Sequence, residues 1–305
     1  MSERLGFVGL GSMGGPMCLN LLRNGFEATV FDLVAGAADP HLEAGAKQAQ
    51  SLGDVARNSD VVLTMLPKSD DVETVILGDG GIAANGREGM LVIDMSTIFP
   101  GTSTKAAEIL HKKGIAFLDA AVGRTSMHAA AGTSMFMVGG DPEDLDRARP
   151  ILKKMGDTIH HCGPVGSGVQ TKLVNNYLTA TQAVITSEAL SLAQKLGLDP
   201  QRTVDIMSST MASNAMVSFY FPRMAMAGNI DPGFALVHAR KDLGLAIELG
   251  EQQDVSMSTG MTAMTEYDRL FEEGHGQRDF SYTLMGACDV AGVEPPKIEA
   301  PDDQA

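Results

Sequence analysis

Three glycines near the start of the chain have a spacing that can bring backbone amides onto a phosphate group. Gly9, Gly11 and Gly14 lie in GLGSMG, directly after a short apolar run and before a helical stretch. The first glycine permits a tight turn, the second lets the backbone approach a pyrophosphate, and the third lets helix pack on strand. Amides at the start of the helix bind the anion. The motif predicts dinucleotide binding through Gly9, Gly11, Ser12, Met13 and Gly14.

An acidic residue follows this loop at the distance expected for a carboxylate that binds ribose. Asp32 ends the second predicted strand, 18 residues after Gly14. A carboxylate there accepts hydrogen bonds from both adenine-ribose hydroxyls and repels a 2′-phosphate. We therefore predict NAD, used as NADH, rather than NADP. The alternative, a glycine turn and a solvated aspartate, fits the surrounding strand, turn and helix less well.

A lysine and an asparagine in GSGVQTKLVNN form the second candidate for chemistry. Lys172 and Asn176 are four residues apart and share one face of the predicted helix. A lysine beside a carbonyl can donate a proton as hydride arrives, and an amide can orient the oxygen. From the spacing alone, the alternative of a solvated helix cation is favoured.

The elements that must position these residues alternate between strand and helix through about residue 160. Such alternation is typical of a parallel sheet covered on both faces. The predicted strands are 5–9, 28–32, 61–65, 91–94, 116–118 and 134–138, with a weaker one near Ile159. Amphipathic segments at 14–24 and 105–113 are predicted crossover helices.

The character of the sequence changes after Gly163. Residues 168–195 contain almost no helix breakers, and the rest reads as helices separated by Gly, Pro and Asp turns. We predict an α/β fold, in which an N-terminal Rossmann-type doubly wound parallel sheet is followed by an all-α C-terminal domain joined by a long helix. The predicted domains are 1–164 for NAD binding, 165–294 for substrate binding and oligomerisation, and a loose tail at 295–305.

Composition excludes several classes of partner. The net charge of −15 disfavours nucleic acid and anionic membrane surfaces, and no apolar run reaches 18 residues. The three cysteines have neither CxxC nor metal-ligand spacing, so neither a disulfide framework nor a metal site is expected. With no signal-type segment at the N-terminus, we predict a cytoplasmic protein.

Several motifs, in order along nearly the whole chain, resemble those of the β-hydroxyacid dehydrogenase family, the 3-hydroxyisobutyrate dehydrogenase-like enzymes. They are GFVGLGSMG at 6–14, Met65-Leu66-Pro67, Asp94-Met95-Ser96-Thr97, GTSMFMVGG at 132–140, GxGxxxKxxNN at 166–176 and Lys241-Asp242-Leu243. The resemblance implies that Lys172 is the catalytic acid or base and that Asn176 holds the substrate oxygen. It also implies cofactor contacts from Leu66, Pro67, Thr97 and Lys241. Without the family pattern, Thr97 would be interpreted as an N-cap and Lys241 as an exposed cation.

One loop departs from the family pattern Asp-Ala-Pro-Val-Ser-Gly-Gly. The chain has Asp119-Ala-Ala-Val-Gly-Arg-Thr-Ser126, which places a guanidinium where the family has glycine. Arg124 can fork onto two oxygens of an anion, with hydroxyl donors from Thr125 and Ser126. The stretch GRTSMHAAAGT is similar to the sulfolactaldehyde reductase branch, and this implies a sulfonated aldehyde bound by Arg124, Asn175, Asn176 and Thr179. The alternative is a surface salt bridge from Arg124, with His128 a solvated side chain.

The resemblance implies NADH-dependent reduction of a small anionic aldehyde to a hydroxyacid. The predicted substrate is 3-sulfolactaldehyde, and carboxylate semialdehydes such as succinic, methylmalonate and tartronate semialdehyde are the alternatives. Outside the enzymes, the chain could be a non-catalytic dinucleotide-binding module, which the presence of Lys172 disfavours. The long helix leaves an extended apolar surface, so a homodimer or homotetramer is expected.

Overall fold

Short apolar segments near the N-terminus form the centre of one eight-stranded sheet. A computed structural model describes residues 3–299. The chain divides into two units, the first ending at Lys172 and the second beginning at Leu173. The first unit contains the sheet and its helices, and the second consists of helices. The predicted α/β class is confirmed, whereas the functional domain limits at residues 164 and 294 stay a prediction.

The sheet has the order β3-β2-β1-β4-β5-β6-β7-β8. In chain order the strands are β1 (Leu5–Val8), β2 (Ala28–Phe31), β3 (Lys47–Gln48), β4 (Val61–Thr64), β5 (Leu91–Asp94), β6 (Ala116–Gly123), β7 (Ser134–Gly139) and β8 (Gly156–Gly163). All neighbours are parallel except β6 and β7. Every residue of β1, β4 and β5 is buried, as a sheet with both faces covered requires.

Three strands differ from the sequence-based expectation, and one of them is β6, which runs over Ala116–Gly123 where 116–118 was predicted. β3 was not predicted, because its two residues are polar and exposed and lie on the edge of the sheet. β8 was predicted only as a weaker strand near Ile159. It runs over eight residues, of which all but the first are partly or fully exposed. Edge strands bury only part of their side chains, so they lack the continuous apolar run that marks a central strand.

Helices connect the strands and cover the sheet. They are α1 (Gly14–Arg23), α2 (Asp39–Glu43), α3 (Leu52–Asn58), α4 (Ser69–Leu77), α5 (Ile82–Asn85), α6 (Pro100–His111), α7 (Ser126–Ala131) and α8 (Pro142–Leu152). Phe7, Leu63 and Ile93 from the central strands pack with Met17 and Leu21 of α1 in the core of this unit. The apolar face of α1 thereby fixes the helix that follows the glycine loop.

The second unit is built around most of a 29-residue helix, α9 (Ser167–Lys195), which begins in the first unit. The other α-helices are α10 (Pro200–Ser208), α11 (Phe221–Arg223), α12 (Leu236–Gln252), α13 (Ser258–Leu270) and α14 (Thr283–Ala291), and shorter π and 3₁₀ turns lie at Met216–Tyr220, Ala225–Ala227, Phe271–His275 and Phe280–Tyr282. The core of the second unit includes Phe221, Leu243 and Tyr267. In the described part of the chain, no helix is long and apolar enough to cross a membrane.

The three thiols Cys18, Cys162 and Cys288 are free. Residues 295–299 follow the last helix without regular secondary structure, and the remainder of the predicted tail lies outside the described residues.

A buried carboxylate connects strand β6 to the start of α9. Asp119 is 2% exposed, and its two oxygens accept hydrogen bonds from the amides of Gly166 at 2.7 Å and Val169 at 2.8 Å. These amides belong to the first turn of the helix, which has no intrahelical acceptors for them. Burial raises the pKa of Asp119 even though the amides favour its charged form. The contact fixes where α9 begins.

A second buried carboxylate lies where β5 ends beside β4. Asp94 is 1% exposed, and its Oδ1 accepts hydrogen bonds from the hydroxyls of Thr64 at 2.7 Å and Ser96 at 2.5 Å. Burial raises the pKa of Asp94 to about 6, with a small further contribution from the negative charge of Asp119. The hydroxyl donors oppose this rise without cancelling it.

The raised pKa of Asp94 predicts a pH-dependent contribution to stability. The folded state holds the proton more tightly than the unfolded state does, so this contribution is largest below pH 4 and falls as the pH rises through about 6. The stability of the wild type minus that of Asp94→Asn should fall by roughly 2 kcal/mol between pH 4 and pH 7. Urea unfolding at several pH values measures this difference.

Asp60→Asn is the matched control, because hydrogen bonds from Arg4 lower the pKa of Asp60 to about 2. The wild type should gain stability over this variant as the pH rises from about 2 to 4, which is the opposite sign. A difference for Asp94→Asn that is the same at every pH would contradict the prediction.

Candidate active site

The loop between β1 and α1 has a backbone that only glycine accommodates at two positions. Gly9 adopts a left-handed φ of 93°, and a Cβ there would overlap the carbonyl oxygen of Met65. A Cβ on Gly14 would overlap the carbonyl oxygen of Gly9. The tight turn and the close packing of helix on strand, predicted for the first and third glycines, therefore have a direct steric basis.

The middle of this loop is open to a phosphate group. Gly11 and Ser12 are exposed, and a Cβ on Gly11 would meet no heavy atom within 4 Å. Met13 is partly buried and packs against the core of the first unit. Because α1 begins at Gly14, the amides at its N-terminus lie beside this open space, and that of Gly15 also donates to the carbonyl of Gly11 at 2.9 Å. Amide donors, the positive end of a helix and free space together fit the pyrophosphate of a dinucleotide.

Asp32 directly follows β2, and backbone amides hold its carboxylate in place. Oδ2 accepts from the amide of Leu10 and Oδ1 accepts from the amide of Val34, both at 2.7 Å. Each carboxylate oxygen has a second lone pair, so the group can still accept hydrogen bonds from ribose hydroxyls. The following side chains, Leu33 and Val34, are 91% and 70% exposed. This edge of β2 thus presents one acid and two apolar side chains.

The loops after β4 and β5 carry the other predicted cofactor residues of the first unit. The amide of Leu66 donates to Ser96 Oγ at 2.9 Å, Pro67 is exposed, and Thr97 is partly buried. Because β1, β2, β4 and β5 are parallel, their carboxyl ends all lie at the same end of the strands. The structure therefore brings the glycine loop, Asp32 and these two loops together at the carboxyl end of the parallel strands.

Arg124, the predicted anion-binding residue, follows β6 with a left-handed φ of 72°. Its Nη1 lies 2.9 Å from both carboxylate oxygens of Asp157 and also donates to the carbonyl of Thr133. Hydrogen bonds from Thr158 and Arg124 lower the pKa of Asp157. The guanidinium therefore engages protein acceptors in this structure, in the manner of the surface salt bridge considered above. Its contact with a substrate anion stays a prediction.

The hydroxyls next to Arg124 lie at the start of the six-residue helix α7. Thr125 precedes the helix, and its Oγ1 lies 3.0 Å from Nδ1 of His128. Ser126 is the first helical residue and is partly buried. Hydroxyl groups are thus present beside Arg124, and His128 has a protein partner for one ring nitrogen.

Helix α9 carries the predicted catalytic lysine. Lys172 is 8% exposed and Asn176 is 6% exposed, one helical turn further on. An ammonium group so strongly buried differs from the solvated helix cation that spacing alone favoured. Thr179 Oγ1 donates to the carbonyl of Asn175 at 3.0 Å. Lys172 ends the first unit, whereas Asn175, Asn176, Thr179 and Lys241 belong to the second.

A polar network in the second unit fixes the amide group of Asn176. Its Nδ2 donates to Oδ2 of Asp242 at 2.6 Å, and its Oδ1 accepts from Nδ2 of Asn175 at 3.0 Å. Asp242 is 2% exposed, and its Oδ1 lies 3.1 Å from Nζ of Lys241. A carboxylate in an ion pair can only accept hydrogen bonds. The NH₂ end of the Asn176 amide must therefore face Asp242. One N–H of Asn176 is left for another acceptor.

His238 lies about one turn before Lys241 and Asp242 on α12. Burial first, and then the positive charge of Lys241, lower the pKa of His238. The imidazole therefore favours its neutral form, so the positive charge on this helix face is that of the lysine.

Two acids at the site were missed from the sequence as functional candidates, although both lie in motifs that were noticed. Asp242 falls on the buried face of α12 with Ala239, Leu243 and Ala246, and an acid on an apolar helix face is a usable signal. Asp94 ends a strand whose every residue is buried. Each acid has a hydrogen-bond partner 30 or more residues away in sequence, Thr64 for Asp94 and Asn176 for Asp242, and only the fold identifies that partner.

Two family profiles match the chain. Residues 4–163 match the profile described as the NAD binding domain of 6-phosphogluconate dehydrogenase. Residues 166–285 match the one described as NAD-binding of NADP-dependent 3-hydroxyisobutyrate dehydrogenase. Together they cover most of both units, and they support a nicotinamide dinucleotide as the cofactor.

Relatives of known name agree with these profiles. The NAD-dependent L-serine dehydrogenase of Pseudomonas aeruginosa is 39% identical, over 92% of this chain and 96% of its own. The 3-sulfolactaldehyde reductase of Escherichia coli (strain K12) is 35% identical, over 95% of this chain and 97% of its own. The structure of Mycobacterium tuberculosis 3-hydroxyisobutyrate dehydrogenase with L-serine superposes with a TM-score of 0.87 at 33% identity, covering 93% of this chain and 99% of that one.

The glycine loop, Asp32 and the buried Lys172 thus occur in a chain whose relatives over nearly its full length are dehydrogenases and reductases. The chain belongs to the 3-hydroxyisobutyrate dehydrogenase-like β-hydroxyacid dehydrogenase family, and it is an NAD-dependent oxidoreductase acting on CH–OH groups.

Proposed function

We propose that the protein reduces a small anionic aldehyde to its hydroxyacid, reversibly, with Lys172 as the general acid and base. The observation that carries this proposal is the burial of Lys172 one turn before Asn176, whose amide is oriented by Asp242. A buried amine with a fixed neighbouring donor suits proton transfer to one substrate oxygen better than it suits solvent contact.

In the proposed reaction the bound nicotinamide supplies hydride transfer. The Nζ of Lys172 donates a proton to the substrate oxygen during reduction and takes it back during oxidation. The remaining N–H of Asn176 orients that oxygen. Asp242 holds the amide through Oδ2 and keeps a negative charge near Lys241, which we propose reaches the cofactor. Leu66, Pro67 and Thr97 are the proposed cofactor contacts from the first unit.

The surroundings of Asp32 favour NAD over NADP. Two backbone amides hold its carboxylate, and the next six residues of the chain contain no lysine or arginine that would receive a 2′-phosphate. A phosphate there would lie beside a negative charge without a compensating cation. We therefore propose NADH as the reductant.

We propose 3-sulfolactaldehyde as the substrate, with 2,3-dihydroxypropane-1-sulfonate as the product. The support is the loop Gly123-Arg124-Thr125-Ser126, which combines a guanidinium with two hydroxyls where a sulfonate offers three oxygens. Asn175 and Thr179 on α9 would add amide and hydroxyl donors. The 35% identity to a 3-sulfolactaldehyde reductase is consistent with this choice.

A carboxylate substrate is the second candidate, and the ion pair between Arg124 and Asp157 favours it. While that pair persists, the guanidinium is not available to a sulfonate, and the neighbouring hydroxyls and amides would suffice for a carboxylate. A relative named for L-serine and a neighbouring structure that contains L-serine are consistent with this alternative.

We also propose a homodimer or homotetramer formed through α9. Five apolar side chains on this helix or directly after it are 52 to 67% exposed, and they are Val174, Leu178, Ile185, Leu192 and Leu196. We call them the α9 stripe. Leu178, Ile185 and Leu192 repeat every seven residues, which is the spacing at which one helix packs along another. A second copy of the chain is the proposed occupant, because the same stripe on two copies is self-complementary.

Replacing Arg124 by Ala tests the substrate. We expect KM for 3-sulfolactaldehyde to rise about 10- to 100-fold, since charge-assisted hydrogen bonds of about 1.5–3 kcal/mol are lost. An uncharged aldehyde should show little change. Values of kcat/KM for 3-sulfolactaldehyde and the carboxylate semialdehydes, each with NADH and NADPH, provide the measurement.

Asp157→Asn and Arg57→Ala are the controls for this experiment. The first weakens the ion pair with Arg124 and should leave KM for the sulfonate unchanged or lower it. The second removes another paired arginine, which bonds Asp54. If a carboxylate semialdehyde is preferred by a large factor and Arg124→Ala affects all substrates alike, the sulfonate proposal fails.

Replacing Lys172 by Ala tests the acid and base. We expect kcat to fall by about 10²- to 10⁴-fold, the usual contribution of general acid–base catalysis, whereas the Kd for NADH stays within about 2-fold. Steady-state rates and fluorescence titration with NADH measure the two quantities. Lys195→Ala, at the far end of the same helix, is the control. Undiminished turnover would refute the role of Lys172.

Replacing both Leu178 and Leu192 by Glu tests the α9 stripe. The wild type should have a mass in solution of two or four times 32.1 kDa, and the variant should approach a single copy, because buried carboxylates are costly. Light scattering measures the mass. Ile206→Glu, which charges a 57% exposed side chain on α10, should leave it unchanged. A wild type that is a single copy at micromolar concentration would contradict the proposal.

A further inference from the structure

The loops that follow β4 and β5 are joined by side chains beyond the point where the strands stop pairing. The last registered pair of these strands is Thr64 with Asp94, and the next backbone bond is from the amide of Met95 to the carbonyl of Thr64. Further on, backbone–backbone pairing no longer fixes one loop relative to the other. Leu66 and Thr97, two proposed cofactor contacts, both lie in this region.

Two serine hydroxyls bridge the loops there in opposite directions. Ser96 Oγ, after β5, accepts from the amide of Leu66 at 2.9 Å. Ser69 Oγ, at the start of α4, accepts from the amide of Phe99 at 3.1 Å. Leu66 donates the first of these bonds, and Thr97 lies between Ser96 and Phe99, so both proposed contacts belong to the bridged region.

Ser96 has a further bond that fixes the direction of its hydroxyl. The carboxylate of Asp94 accepts from Ser96 Oγ at 2.5 Å and from the Ser96 amide at 3.2 Å. Since the Leu66 amide can only donate and the carboxylate oxygen can only accept, the Ser96 proton points towards Asp94. The result is a directed chain from the partly buried Leu66 amide through Ser96 to Asp94, and it ends at two buried side chains, where such bonds are strong.

Asp94 has little other purpose at this position. Its Oδ2 is buried without a hydrogen-bond partner within residues 3–299, and burial raises its pKa. Burying an acid in this way costs stability. The hydrogen bonds that its Oδ1 accepts therefore explain its presence better than the fold alone does. The hydroxyl of Thr64 donates to the same Oδ1, but Thr64 is the last residue of β4 and this bond holds neither Leu66 nor Thr97.

We propose that Asp94 and Ser96 are positioning residues for the nicotinamide half of the cofactor, because they hold the Leu66 loop and the Thr97 loop in one fixed relation. This inference rests on the proposed roles of Leu66 and Thr97. It does not depend on which aldehyde is the substrate. Neither Asp94 nor Ser96 needs to touch the cofactor.

The test compares the binding of NADH with the binding of ADP. ADP carries the half of the cofactor that the glycine loop and Asp32 are proposed to hold, and it lacks the nicotinamide. Ser96→Ala should raise the Kd for NADH about 10-fold and the Kd for ADP less than 2-fold. Calorimetric titration measures both constants, and thermal unfolding reports stability independently of binding.

Thr64→Val is the matched control, because it removes a bond of similar length to the same oxygen of Asp94 and leaves the Leu66 to Ser96 bond intact. It should lower Tm as Ser96→Ala does, yet keep the Kd for NADH within 2-fold. Ser96→Thr retains a hydroxyl and should restore NADH binding to within about 3-fold. If Ser96→Ala does not fold, Ser96→Cys, a weaker hydrogen-bonding group, replaces it and should raise the Kd for NADH several-fold.

Three results would overturn the proposal. They are an unchanged Kd for NADH in the Ser96 variant, equal losses for NADH and ADP, and equal losses of NADH binding in the Ser96 and Thr64 variants. Failure of the wild type to bind NADH would instead overturn the proposed contacts of Leu66 and Thr97, together with the cofactor on which they depend. The failure of the positioning role and the failure of the proposed function therefore give different results.

Discussion

The carboxylate of Asp119 binds the amides of Gly166 and Val169, and much of the proposed chemistry depends on that contact. It satisfies the first turn of α9 from inside the sheet, so the start of the helix is set by strand β6 and not by a surface loop. Gly168 makes this approach possible, because a Cβ there would overlap the carbonyl of Met137. Lys172 follows within the next turn. Its place in the first unit thus depends on a buried acid and a glycine.

Much of the fold was predictable because its central parts obey local rules. β1, β4 and β5 are short apolar runs, and the glycine loop has steric requirements that are visible as sequence. The predicted limits of β5 are those observed. Edge strands were harder, since β3 has only two exposed polar residues and the exposed residues of β8 break its apolar pattern. Burial, which creates the pattern, is weak at an edge.

The candidate site was predictable as a set of residues but not as a set of contacts. Asp32 was proposed from its type and spacing and Lys172 from the family resemblance, and the burial of Lys172 then distinguished it from an ordinary helix cation. The partner of Arg124, Asp157, lies 33 residues further along the chain, and no local pattern connects them. The Asn176 to Asp242 bond spans 66 residues. Such pairings depend on tertiary structure, which also decides whether a cation faces a ligand or an acid of its own protein.

The left-handed backbone of Arg124 has a consequence for how the proposed anion-binding loop can change. Residues with a Cβ adopt this conformation at a cost of about 1–2 kcal/mol, which glycine avoids and asparagine partly avoids. Any residue that replaces Arg124 must therefore adopt this backbone conformation, whatever ligand its side chain binds. Few side chains do so cheaply, and β-branched ones are the worst suited. Glycine, which avoids the cost altogether, is accordingly the replacement that this backbone accepts best.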